Sequence, residues 1–212
     1  RVLALMHPPD GGIVEPLRGL FGWLGTHSPG LRPLLIDRDP LALVLYGDVR
    51  GYSVDDKRRL FESFRREADE FVWFRRGNWA AHPFGALGTA DMTPMLARIL
   101  ASADRSPAHQ AIVDCALDAI VHGEPQPSLL VELEAVVRDT SFRSDIRATA
   151  LTAWLRQPNA APFVAKAWLD ECIHDRLDDE DKALCGRLLD WLYPSAVSVS
   201  EVLSCLRLHR AD

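Results

Sequence analysis

The chain lacks every short motif that would announce catalysis. There is no G-x-x-x-x-G-K-[ST] or G-x-G-x-x-G loop, so no glycine-rich cradle for phosphates is present. Nor is there a G-x-S-x-G elbow or an H-E-x-x-H helix. Cysteine is sparse: Cys115, Cys172, Cys185 and Cys205 are scattered over predicted helices, without the density of a secreted disulfide framework. Cys172-Ile173-His174, with Cys185 on the next helix, lacks the paired spacings of a structural zinc site, so buried thiols are the expected reading. Long apolar runs are also missing. Leu41 to Tyr46 is far too short to cross a bilayer, and no charged-then-apolar leader suggests export. Cytoplasmic placement and the absence of any membrane partner are the expectations. Positive charge is in deficit, with a formal net charge of −6, which argues against a primary role on nucleic acid.

What the chain does have is helical periodicity and punctuation. With 48% hydrophobic and 25% charged residues over 212 positions, it can build a sizeable core. Strand-like alternation is missing throughout, and all-α is the expected class. The predicted stripe Ile13, Val14, Leu17, Leu20, Phe21 and Leu24 opens the helical part, with Pro16 early enough to be tolerated. Ser28-Pro29 and Asp39-Pro40 read as cap-plus-proline starts, and Gly47 as a stop. Ser53 caps a helix whose stripe is Leu60, Phe61, Phe64, Ala68 and Phe71. From Val72 to Thr89 periodicity fails, and this stretch reads as a packed connection holding one short helix.

From Asp91 to Gln157 one hairpin pattern occurs twice. Leu96, Ile99 and Ala103 are matched thirty-four positions on by Leu130, Leu133 and Val137. Ala116 to Ile120 is matched at the same offset by Ala150 to Trp154. Such a period marks stacked helix pairs, because one hairpin cannot bury its own apolar face. A degenerate third copy places Leu151, Trp154 and Leu155 on Leu188, Trp191 and Leu192, thirty-seven positions on. Thr93-Pro94, Ser106-Pro107, Pro127 and Thr140 or Ser141 are the expected starts within the array, with Gly123 a stop. Later helices are expected over 162–174, 179–193 and 199–209. The division read from this pattern is 1–89, a short-helix layer and connector, and 90–212, an array of repeats. Asp178-Asp179-Glu180-Asp181 lacks the ligand alternation of a calcium loop and reads as the acidic start of a helix.

The phrases Asp39-Pro40-Leu41, Leu45 to Val49, Ser53 to Leu60, and Trp73-Phe74 through Pro83 to Leu87 carry a resemblance. So does the run from Asp91-Met92 through Asp114 to Ala119 and Asp139 to Trp154. In these the chain resembles the helical region that follows the nucleotide-binding core in bacterial NACHT-type NTPases of the STAND class. That resemblance implies a right-handed array of HEAT-like hairpins, an α-solenoid, serving as a sensor or autoinhibitory arm. Several members of the group act in defence against phage. It implies a non-catalytic chain without cofactor, cut from a longer protein whose missing core would bind ATP. Partners would be a protein ligand or other domains of the same polypeptide, and oligomerisation would run through domains not in the chain.

The expected contact residues are Arg75, Arg76, Asn78 and Trp79, in the connector beside Trp73 and Phe74. Aromatic anchors with arginine are typical of partner surfaces. The competing reading is that the aromatics fill a junction while the arginines pair internally. An enzyme with a pocket built from Asp48, His82 and Asp91 is the rival function, alongside a stand-alone scaffold. A nucleic-acid surface would need Arg58, Arg65, Arg75 and Arg76 on one face.

Overall fold

The computed structural model describes residues 15–75 and 82–207, the side chains of 204–207 apart. Among the described residues are eleven α-helices, five short 3-10 helices and no strand. No helix among them is long and apolar enough to cross a membrane. Two compact units emerge, Arg1–Glu124 and Pro125–Asp212, so the chain divides within the repeat pattern and not at residue 89.

The first unit begins with α1 (Arg18–His27), α2 (Arg32–Arg38) and α3 (Pro40–Tyr46). Asp39 starts α3 as expected: its carboxylate accepts from the Ala42 N–H, and Pro40 occupies the first turn. α2 starts later than Ser28-Pro29 suggests, because residues 28–31 form a turn first. The face that α1 buries also differs from its apolar stripe. Phe21, Gly22 and Gly25 are buried, whereas Leu20 is exposed. Close approach explains this, since a Cβ on Gly22 would lie 2.6 Å from the Tyr46 carbonyl carbon. Glycines, invisible to a hydrophobicity pattern, set that contact. Ile13 and Val14 lie outside the described residues.

α4 (Val54–Glu70) is capped by Ser53, whose hydroxyl accepts from the Asp56 N–H. Leu60, Phe61, Phe64 and Ala68 are buried as the stripe requires, but Phe71, its expected last member, lies just past the helix end at Glu70 and is exposed. α5 (Thr93–Leu100) and α6 (Pro107–His122) complete the unit. Ser106 caps α6, accepting from the His109 N–H. α6 is buried nearly all round, and α4, α5 and the 3-10 segment His82–Leu87 all pack on it. A helix apolar on every side belongs at the centre of a unit.

The chain crosses the end of α6 at Gly88. A Cβ there would sit 1.9 Å from the Ala119 carbonyl oxygen, and one on Gly123 would sit 2.4 Å from the Gly88 oxygen. Backbone on backbone leaves nothing flexible to yield. Gly88→Ala is therefore expected to destabilise the unit by about 1–3 kcal/mol, the usual range for overpacking. Urea denaturation checks it.

The second unit holds α7 (Leu130–Arg138), α8 (Ser144–Leu155), α9 (Pro162–Ile173), α10 (Ala183–Leu192) and α11 (Val199–Arg207). α8 packs on α7 and α10, and α9 on α10. Neither Thr140 nor Ser141 caps α8, which starts at Ser144 after Arg143. α10 starts at Ala183 and not at residue 179, because Asp179 caps it from outside. The Asp179 carboxylate accepts from the backbone N–H groups of Leu184 and Cys185 at 2.9 and 2.8 Å. That is the helix-start role expected for the acidic run. Arg147, also buried, donates to the Val137 carbonyl and to Asp178.

Matched positions of the pattern have matched burial in the longer helices. Ala116, Leu117, Ala119 and Ile120 of α6 are buried, and so are Ala150, Leu151, Ala153 and Trp154 of α8. Ile99 and Leu133 also agree. Ala103 is exposed where Val137 is buried, and Trp191 is 36% exposed where Trp154 is 4%.

Candidate functional site

The connector after α4 is the candidate contact region, and its described part is built on an aromatic floor. Phe64 meets Phe61 edge-on and stacks on Phe74 with centroids 5.8 Å apart. Phe84, on the returning 3-10 segment, lies 5.6 Å from Phe64. Phe61 and Phe64 come from the α4 stripe, Phe74 from the turn that follows it and Phe84 from the returning segment, so three stretches of chain assemble the floor. Phe71 and Trp73 alternate with these and face outward, 54% and 49% exposed.

Arg75 belongs to the floor, not to the surface. It is 6% exposed, with its guanidinium 4.2 Å from the Phe84 ring centroid. One Nη donates to Asp114 at 3.1 Å, the other to Asp118. Burial alone would lower its pKa, but the charges around it, Asp118 and Asp114 among them, outweigh that and hold it above the ordinary value. The Nε has no hydrogen-bond partner among the described residues. Beside it Cys115 is fully enclosed, and burial pushes its thiol up to about 12. A thiol that stays protonated is no nucleophile. Arg75 thus follows the packing reading and is corrected from contact residue to internal tether. Arg76, Asn78 and Trp79 lie outside the described residues.

The rival pocket of Asp48, His82 and Asp91 does not share a network. Asp48 is exposed, and its backbone N–H donates to Thr26 Oγ1. Asp91 takes the Thr89 hydroxyl, which lowers its pKa, and faces the Lys57 ammonium at 3.6 Å. His82 meets His122, with the two Nδ1 atoms 3.1 Å apart. Among the described residues, no group of three His, Cys, Asp or Glu side chains could hold a metal ion. Lys57 was not singled out by sequence. It is buried, with Nζ donating to Thr89 Oγ1 at 2.8 Å, and it ties α4 to residue 89.

The arginines that a nucleic-acid surface would need are engaged with acids. Arg58 pairs with Asp55, Arg65 with Asp69 and Asp104, and Arg75 with Asp114 and Asp118. Asp104 is held at about 2 by the Ser106 backbone N–H and side chain and by Arg65. Arg65 also reaches His109 Nδ1 at 3.1 Å. Arginine only donates, so Nδ1 is the acceptor and the His109 ring is neutral.

His109 makes a pH prediction. Burial lowers its pKa below the model-peptide value of about 6.5. The folded state therefore binds its proton less readily than the unfolded state does. The stabilisation is full above about 6.5 and is lost as pH falls through the depressed folded value. The urea midpoint is expected to fall between pH 7.5 and 5.0, and by less in His109→Gln.

Comparison with known proteins adds no relative. No family model, no curated protein and no solved structure matches this chain.

Proposed function

We propose that this chain is a non-catalytic, ligand-sensing and protein-interaction module of a larger signal-transducing NTPase of the NACHT type. Its architecture in this reading is an array of HEAT-like helical hairpins, preceded by a layer of short helices. The observation that carries it is the shared burial at an offset of thirty-four residues between α6 and α8. Repeats of this kind have an extended surface that can be retailored without disturbing the core, which suits recognition. The sequence resemblance supplies the setting: a cytoplasmic bacterial protein, with defence against phage as the biological context.

Phe71 and Trp73 are the described members of the proposed contact surface, beside Arg76, Asn78 and Trp79 in sequence. Exposed aromatics on a connection held by a rigid floor fit the usual anatomy of a binding loop. The coding sequence immediately upstream of Arg1 tests the assignment. A P-loop lysine followed by a strand ending in an acidic magnesium ligand is expected there. An upstream region with no nucleotide-binding signature contradicts it.

A further inference from the structure

His82 and His122 present two imidazole nitrogens to one point in space, and nothing in the proposed sensing role uses them. Their Nδ1 atoms are 3.1 Å apart, and the rings are inclined at 71° with centroids 4.3 Å apart. With metal–nitrogen bonds of about 2.0–2.1 Å, two ligands at a right angle lie about 2.9 Å apart, and at the tetrahedral angle about 3.3 Å. The observed separation falls between the two. We propose that His82 and His122 form a two-imidazole clamp for a divalent transition-metal cation of the zinc, nickel or copper class.

Three features of the fold prepare the clamp. His122 is the last residue of α6, where the helix dipole favours positive charge. His82 opens the 3-10 segment that is seated on that helix end. A Cβ on Gly85 would lie 2.2 Å from the His122 carbonyl oxygen, so the segment that carries His82 is in backbone contact with the helix end that carries His122. The pair is also reachable from solvent, His82 being exposed. In the neutral pair one ring donates its Nδ1–H to the Nδ1 of the other. Cation binding requires the donor ring to move that hydrogen to its own Nε2, so that both Nδ1 lone pairs face the metal and no proton is lost.

Among the described residues the clamp has these two ligands, and its other coordination positions are open to water or to a donor brought by a partner. Affinity follows the order of ligand preference for imidazole, with Cu²⁺ above Ni²⁺ and Zn²⁺, and Mg²⁺ and Ca²⁺ do not bind. Protons compete with the cation for the ring nitrogens, so binding weakens on acidification. When filled, the site cross-links the start of the 82–87 segment to the end of α6, which raises thermal stability by mass action.

Calorimetric titration of the chain with Zn²⁺ tests the clamp, with His82→Ala and His174→Ala as variants. His174, another exposed histidine, lies beside Asp170 and serves as the control. The expected result is one site that His174→Ala leaves intact. His82→Ala should weaken it by at least the roughly tenfold that losing even a supporting partner costs. Unchanged Zn²⁺ binding in His82→Ala overturns the proposal. The Cu²⁺ adduct of the unmodified chain gives a second readout that needs no variant. Paramagnetic resonance should show two nitrogen ligands on one copper, and a spectrum with one nitrogen or none overturns the proposal equally.

Discussion

Arg75→Ala should destabilise the first unit by about 3–5 kcal/mol, the cost of leaving a buried charge without its partner. The side chains concerned are 7% exposed at Arg75, 13% at Asp118 and 27% at Asp114, so Asp118 bears most of the loss. The guanidinium also covers the Phe84 ring, and truncation removes that contact as well. Chemical denaturation of the variant measures the effect. The double substitution Arg75→Met with Asp118→Leu should recover part of it, because paired removal leaves no stranded charge. If Arg75→Ala proves nearly neutral, the residue is free in solution and returns to the contact surface.

Trp154→Ala should cost about 3–5 kcal/mol in the second unit, the range for emptying a large aromatic site in a core. The indole is almost wholly buried and meets Trp168 with ring centroids 4.7 Å apart. Arg138 lies on Trp168 in turn, its guanidinium carbon 5.5 Å from the centroid. These groups close around the indole, so the cavity cannot collapse cheaply. Trp191→Ala, at the corresponding position of the third copy, should cost clearly less, because that side chain is already partly in water. Equal costs at the two tryptophans would mean that burial does not distinguish the copies.

Helical class, the caps at Asp39, Ser53 and Ser106, and the buried stripe of α4 were legible because each depends on residues within a few positions of one another. The repeat was legible where it is dense, in α6 and α8. It faded where a side chain answers to its own neighbours and not to its position in the period, as at Ala103 and Trp191. Distant partnership was the main thing hidden. Nothing local in Arg75-Arg76 says that the first arginine turns inward to Asp114 and Asp118, about forty residues on. Lys57 likewise looked like one more charge on an exposed helix, yet it ends on Thr89, thirty-two residues away. His82 was noticed as a possible acid–base group, but its facing partner His122 could not be seen without the fold. Gly22 and Gly88 act by absence of a side chain, which no apolar pattern records.

The proposed role rests on a surface, and the paired substitution of Phe71 and Trp73 by serine examines it most directly. Both side chains are about half exposed and leave the aromatic floor of Phe61, Phe64, Phe74 and Phe84 in place. Stability of the isolated chain should stay within about 0.5 kcal/mol, as for most surface changes. Under the proposed function, the same variant placed in the longer protein and expressed in a bacterial host challenged with phage should lose protection while accumulating to the normal level. Undiminished protection, or a loss that merely follows a fall in stability, would contradict a contact role for the connector.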